Sequence, residues 1–495
     1  MKKVFLFAIA CISALCSCHR GGSGYDYEWK SADEVSEILP ITGTFVNLAY
    51  QDVRNLYTNP PHIDNTDPRM WKEKIGEMKK MGMEYLVFMA VANEGKAYYP
   101  SALMPRHYPE WRESPVDAIM DEAERHGMKV FMSTGWAVDQ DDNLRDPKIK
   151  ARQMEMMEEL AGLYGDHPAF HGWYLPVEDC LGPVLTDYAV EAVNALTMRA
   201  RELTPSAKIL ISPYGIFNSD FDDPRYEQQL SRLTVDIIAY QDEIGCVRER
   251  YPLDNLRKNW KKLRAIHDKT GVEMWANCES FTWEKGTNDR SSALIPASFN
   301  RLLSQMSAAS AGGADRIISF MMLGIYEPSC ASKYALGQPH WSNAAGLDYM
   351  LWLGGNRRWR FAGNAFSGRY GDLATEDPAN PRWSHYNKGT HEITVDLGQD
   401  FGICDVMVRM LNCAKDGINP PRKLFLFTSE DGEKWELKQI KDCPVFPNTL
   451  HDSFIDHVVF ELAPDVSPLY SRYLKIAFTV EDESYFDEII INPEI

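Results

Sequence analysis

His171-Gly172-Trp173-Tyr174-Leu175-Pro176-Val177-Glu178-Asp179 reads as a short buried strand that ends in two carboxylates. A later stretch, Glu273-Met274-Trp275-Ala276-Asn277-Cys278-Glu279, has the same design: an apolar and aromatic strand with a carboxylate at its C-terminal end. In a parallel barrel the ends of both strands open on one mouth. Two carboxylates facing each other across a mouth are the groups that cleavage of a glycosidic bond requires. One protonates the leaving oxygen, and the other attacks the anomeric carbon or activates water.

Strand patterns flank these two on both sides. They cover residues 41–48, 85–91, 129–136, 172–177, 208–214, 235–241, 273–277 and 316–322. Amphipathic helical patterns lie between them at 70–81, 116–125, 151–164, 188–203, 255–268 and 297–311. Eight strands alternating with helices predict an α/β fold, a (β/α)8 TIM barrel. Short links return each helix to the next strand, as in His126-Gly127-Met128 and Thr270-Gly271-Val272, with glycine where a helix C-cap needs it. Links leaving the strands are longer, above all 49–69 and 92–113, and long loops in compact domains usually serve function. An open doubly wound sheet is the competing fold; the strand count and the lack of a Gly-rich phosphate loop weigh against it.

The rhythm changes after about residue 325. Short alternating strands with turn signals follow at 392–397, 406–411, 423–428, 435–440, 458–462, 473–480 and 488–491, the pattern of an all-β sandwich. The expected organisation is a signal peptide at 1–17, a tether at 18–38, the barrel at 39–335, a linker at 336–358 and the sandwich at 359–495.

The chain has 495 residues with a formal charge of −19, which argues against a nucleic-acid partner because phosphate binding needs basic patches. Aromatic residues make up 12%, which suits stacking on sugar faces as well as large cores. No C-x-x-C spacing or clustered histidine set points to a metal, and no cofactor motif is read. Cys404, Cys413 and Cys443 are the disulfide candidates. Met1-Lys2-Lys3 followed by an apolar run to Leu15 is a secretory signal pattern too short to span a bilayer.

Leu15-Cys16-Ser17-Cys18 resembles the bacterial lipobox, which implies lipidation at Cys18, a membrane anchor and a cell-envelope location. Three later stretches resemble the discoidin-like (coagulation factor type C) module: residues 392–398, 425–435 and 472–476. That resemblance implies a jelly-roll sandwich that binds glycans beside a catalytic domain, with Trp383, His385 and Tyr386 as the expected loop contacts. Glu430-Asp431-Gly432 reads as a hairpin turn between two strands, which makes Trp435 a core residue rather than a ligand contact.

The barrel is similar to the large clan of retaining (β/α)8 glycoside hydrolases, and looks closest to barrel domains of secreted bacterial lipoproteins. The clan places its acid/base after strand four and its nucleophile after strand seven. The resemblance implies Glu178 and Glu279 in those roles, and Tyr240 after strand six as a hydrogen-bond partner of the nucleophile. The chain departs from the clan at Val177, where an Asn is usual, and lacks the common strand-eight Trp. Expected substrate contacts are Asn47, Trp136, Asp179, Tyr214, Tyr240, Asp242, Trp275, Asn277 and Trp283. Asp242 and Glu243 compete for the role of Glu279, and Glu94 and Glu327 are outer candidates for hydroxyl contacts. A glycan-binding barrel without catalysis is the other reading of the same residues.

Overall fold

The computed structural model describes residues 38–48, 64–135, 146–247, 253–283, 294–297, 299–327, 346, 349–350, 352–353, 374, 377–403, 405–443, 454–462 and 469–491. The chain divides into two compact units, the first holding residues 37–297 and 301–337 and the second residues 338–495. Trp136, Cys18 and Cys404 are outside the described residues, and of Trp283 only the backbone is described.

The first unit is a closed barrel of eight parallel strands. They are β1 (Ile41–Asn47), β2 (Tyr85–Ala90), β3 (Lys129–Met132), β4 (Phe170–Tyr174), β5 (Lys208–Ile211), β6 (Ile237–Gln241), β7 (Glu273–Glu279) and β8 (Arg316–Phe320). Each pairs with its sequence neighbours, and β8 closes on β1. All eight expected strands are present, most of them shorter than their sequence patterns.

The interior is filled with side chains in layers, as a barrel of this size requires. Near the start of the strands, Tyr85 packs on Trp275 with ring centroids 5.1 Å apart, and Phe131 on His171 at 5.2 Å. The Arg316 guanidinium lies 4.6 Å from the centre of the Tyr85 ring. Nearer the strand ends, Phe45 packs on Tyr174 and Phe320.

Among the described residues, seven longer helices pack around the barrel: α1 (Pro68–Lys80), α2 (Pro115–Arg125), α3 (Pro147–Tyr164), α4 (Asp187–Leu203), α5 (Pro224–Arg232), α6 (Leu253–His267) and α7 (Phe299–Ala311). Four begin with one device. Asp67-Pro68, Ser114-Pro115, Asp146-Pro147 and Asp223-Pro224 each place a capping side chain before a proline that has no N–H to satisfy. The caps fix where each helix starts, and so where each loop above the barrel must end. Helix α5 has no counterpart among the sequence patterns; its short polar surface hides only Tyr226, Gln229 and Leu230.

The second unit is an antiparallel sheet of six strands: β9 (Ser384–Ile403), β10 (Asp405–Asn412), β11 (Lys423–Ser429), β12 (Glu436–Asp442), β13 (Phe454–Glu461) and β14 (Leu469–Ile491). It curls on itself, because β14 pairs along its length with β9, β10 and β11. The core under it includes Val406, Leu426, Phe460 and Phe478. This is a β-sandwich arrangement, with four corrections. The patterns at 473–480 and 488–491 are one strand, β14. Trp383 is buried, and His385 and Tyr386 belong to β9, where His385 stacks on Tyr485. Trp435 is half-exposed with the Lys475 ammonium over its ring. Cys413 is a thiol that donates to Asp416 Oδ2 at 3.1 Å, and Cys443 is a buried thiol, so neither forms the expected disulfide.

Candidate active site

Five residues after β6 shape the carboxylate cluster. The turn Asp242-Glu243-Ile244-Gly245-Cys246 folds back over the end of β7 and wraps the Glu279 side chain. The Cys246 N–H donates to Glu279 Oε2 at 2.9 Å, and also to the Glu243 carbonyl at 3.1 Å. A Cβ on Gly245 would stand 2.8 Å from Glu279 Oε2 and 2.6 Å from the Phe281 carbonyl oxygen, so only glycine fits there. Glu243 adopts φ +54°, a region that non-glycine residues rarely occupy and that is associated with functional strain.

Helix α7 seals this turn from behind. Arg301 Nη2 donates to the carbonyls of Glu279 (2.6 Å) and Phe281 (2.8 Å). Gln305 Nε2 donates to Asp242 Oδ2 (2.7 Å) and the Glu279 carbonyl (3.1 Å). Asp242 Oδ1 in turn accepts from the Glu279 N–H (3.1 Å). Asp242 is thus fully buried towards the helix layer and holds backbone; the expectation that it touches substrate is corrected.

Glu243 is also buried, and its Oε2 accepts from the Gly215 N–H at 2.6 Å. This ties the β5 and β6 connections together at the mouth. Burial and then the charge of Glu279 push the Glu243 carboxyl well up, against the N–H groups of Gly215 and Ile216. Glu279 is 4% exposed. Burial and the nearby Asp242 push its carboxyl up to about 8, while the Cys246 N–H and the Arg301 charge pull it down. Burial likewise raises Asp242, against the bond from Gln305.

Glu178 lies four residues beyond β4, on an extension kept in register by the Leu175 N–H to the Leu210 carbonyl (2.9 Å). It is half-buried. Burial pushes its carboxyl up to about 7, opposed by a hydrogen bond from the Gln241 side chain. Gln241 Nε2 also donates to the Ser212 carbonyl at 2.9 Å, and Asn277 Nδ2 donates to Ser212 Oγ at 3.1 Å. A polar belt therefore crosses β5, β6 and β7 under the mouth. Asn277 belongs to this buried belt, and its Oδ1 has no hydrogen-bond partner among the described residues.

The other expected contacts divide. Asn47 closes β1 and is buried at its C-terminal end. Tyr214 is half-buried at the rim, bound through its backbone to the Asp179 carbonyl (3.2 Å). Asp179 is used in its own loop, where Oδ2 accepts from the Thr186 N–H at 2.6 Å. Tyr240 points away from the mouth; its hydroxyl pairs with Tyr226 (2.5 Å) and His267 Nε2 (2.7 Å) in the helix layer. Trp275 sits deep in the barrel against Tyr85, far along its strand from Glu279. Tyr240 and Trp275 are therefore packing residues, contrary to expectation. Glu327 is no hydroxyl ligand either: it forms a fully buried ion pair with Lys74 of α1 and accepts the Gly324 N–H. Glu94 is exposed at φ +50° in the turn of a small hairpin.

The residues that sequence reasoning passed over are Gln241, Gly245, Arg301 and Gln305. A glycine two residues after a pair of carboxylates is the one available signal.

Residues 41–332 match the family model described as "Domain of unknown function (DUF4434)". The chain belongs to that family. Solved structures similar to it include proteins described as glycoside hydrolases. One from Bacteroides thetaiotaomicron, provisionally described as an α-L-fucosidase, is 22% identical with a TM-score of 0.48, over 60% of this chain and 92% of that one. A GH99 endo-α-mannosidase from the same organism is 13% identical with a TM-score of 0.39, over 63% and 96%. An intracellular xylanase from Thermoanaerobacterium saccharolyticum is 16% identical with a TM-score of 0.37, over 59% and 87%. Likeness at this level names no substrate for the DUF4434 chain. Comparison with curated proteins finds no match.

Proposed function

We propose that the barrel is a glycoside hydrolase acting on an oligo- or polysaccharide, with Glu178 as general acid/base and Glu279 as its partner carboxylate. The observation that carries this reading is a pair of carboxylates at the ends of β4 and β7, both raised by burial, and neither in an ion pair among the described residues. A carboxyl near 7 can hold a proton at neutral pH and still release it, which is what an acid/base needs. Glu178 would protonate the leaving oxygen while Glu279 bonds to the anomeric carbon. Water would then displace Glu279, losing its proton to Glu178, so that configuration is retained. The retaining course rests on the strand placement of the two residues.

The remaining expectations join this proposal. Asn47, Tyr214 and Asn277 supply hydrogen bonds around the mouth. The sandwich is a discoidin-like glycan-binding domain, and Cys18 carries a lipid that holds the protein at the cell envelope.

The test is hydrolysis of a panel of plant, microbial and host glycans by wild type, Glu178→Gln and Glu279→Gln. Sugar release by wild type, abolished in both folded variants, supports the proposal. The tight enclosure of Glu279 favours one other reading, a glycan-binding barrel. Binding without release, equal in wild type and variants, would establish that reading instead.

A further inference from the structure

The connection from β2 to α2, residues 91–114, rises from the same face of the barrel as Glu178 and Glu279. It carries Trp111, which at 79% is the most exposed large apolar side chain among the described residues. The chain around it is firmly held. Glu159 of α3 accepts from the Tyr99 hydroxyl (2.7 Å), Ser101 Oγ (2.7 Å) and the Ala102 N–H (2.5 Å). His107 stacks on Tyr98 with ring centroids 4.2 Å apart, and its Nε2 donates to the Asn93 carbonyl at 3.1 Å. Beside Trp111, Arg112 Nη1 donates to Asp64 Oδ2 (3.1 Å) and Thr66 Oγ1 (2.8 Å), and the guanidinium lies 5.3 Å from the centre of the indole ring. Glu113 pairs with Lys72 of α1 at 2.8 Å.

An indole presented to water on a fixed backbone gains nothing from burial in this chain. Its neighbours are polar: Asp64, Glu110 and Glu113 are exposed, and Arg112 carries the opposite charge. A surface for another protein would offer a contiguous apolar patch. A sugar unit suits a single ring among charges, because its C–H face covers the ring while its hydroxyls reach carboxylates and guanidinium at the edge.

We propose that Trp111 is a sugar-stacking platform at the outer rim of the mouth, and that the glycan taken by the barrel is a chain long enough to extend from the carboxylates across the β2–α2 connection. Trp111 stands three residues before Ser114, the cap of α2, and so over the helix layer, away from the barrel axis. Around the closed barrel, β2 is two strands from β4 and three from β7. A sugar seated between the carboxylates does not cover the ring; later units of the same chain do. Binding gathered on units that do not react helps to hold the reacting bond in place. The inference rests on the proposed function for what the chain is held for, but the platform itself does not depend on cleavage.

The experiment uses the full chain carrying Glu178→Gln, in affinity electrophoresis through gels containing xylan, mannan, pectic galactan or mucin. At least one polysaccharide should retard it. Adding Trp111→Ala should weaken that affinity by about tenfold, the effect of leaving a large ring uncovered, and Trp111→Phe should recover most of it. Circular dichroism should show the fold unchanged, since the core does not use this ring. A second readout is local. N-bromosuccinimide oxidises exposed indoles, and peptide mass spectrometry follows Trp111 itself. The retarding polysaccharide should slow this oxidation in a saturable way and its monosaccharide should not, which separates the platform from sugar binding by the second unit. Retardation by none of the four, equal retardation of Trp111→Ala, or oxidation of Trp111 as fast with the polysaccharide as without it would overturn the proposal. So would a lower sedimentation mass for Trp111→Ala than for wild type, which would make the ring a contact between two copies of the chain. Affinity lost in Trp111→Ala, in a protein whose wild type releases no sugar, would sink the glycosidase reading and leave the platform standing.

Discussion

The barrel treats two sets of buried carboxylates at its strand ends in opposite ways. Beyond β8, Glu327 meets Lys74, and the two charges cancel in a fully buried ion pair. Beyond β6 and β7, Asp242, Glu243 and Glu279 are buried together with backbone and amide donors, and no ion pair involves them among the described residues. The first set joins α1 to the chain that leaves the barrel. The second stores unfavourable charge at one point. Groups held in that state are expensive to keep, and they cluster where chemistry needs a shifted pKa. Burial alone does not single out a candidate site; burial outside an ion pair sets this cluster apart.

The sharpest way to break this comparison is catalytic. Glu178→Gln should lower kcat by about 10²–10⁴-fold, the usual worth of a positioned acid, on any glycan the wild type cleaves. Folding should be unaffected, as judged by circular dichroism. A variant as active as wild type would remove Glu178 from the site.

The paired set predicts a large effect on stability and none on chemistry. Lys74→Met leaves Glu327 buried without its cation and should cost about 3–5 kcal/mol in denaturant unfolding. The double variant Lys74→Met with Glu327→Leu should recover much of that loss. If Lys74→Met were as stable as wild type, Glu327 would have another way to be satisfied, and the contrast between the two sets would fail.

These contrasts also show what could be read from residues alone. The eight strands and most helices were legible because apolar periods and short glycine-bearing returns recur from one unit to the next. The facing of side chains was not. In Ile237-Ile238-Ala239-Tyr240-Gln241, four of five residues are buried, since a barrel strand is covered on both sides. Nothing in such a run distinguishes inward from outward, so the expectation places Tyr240 at the mouth, while its hydroxyl lies in the helix layer. Depth was equally hidden: Trp275 lies on the same strand as Glu279 but near its start. In the second unit, Glu481-Asp482-Glu483-Ser484 falls between the strands expected at 473–480 and 488–491. Instead it stays in β14, with Glu483 and Ser484 opposite Asn387 and Tyr386. Two long paired strands can hold a polar run extended where a single strand could not.

Gly245→Ala probes the unpaired set more gently. The added Cβ meets a carboxylate oxygen and a carbonyl oxygen, neither at the end of a flexible chain. The turn must shift, at about 1–3 kcal/mol of stability. The Cys246 N–H would withdraw from Glu279 with it, so activity should fall further than stability does. Equal stability, measured by thermal unfolding, would show that the turn has room the geometry denies it.

The smallest effect concerns Glu178 and Gln241. The Gln241 side chain donates to Glu178 and so favours its ionised form, although burial outweighs it and sets the carboxyl near 7. Gln241→Leu removes the donor while leaving the burial. The carboxyl should then hold its proton to higher pH, and the alkaline limb of the activity profile should move up. A hydrogen bond worth about 1 kcal/mol net corresponds to less than about one pH unit. The sign decides the matter. An upward shift fits an acid whose proton is tuned by β6. A downward shift, or none, would mean that Gln241 serves only the Ser212 carbonyl and that Glu178 is set by burial alone.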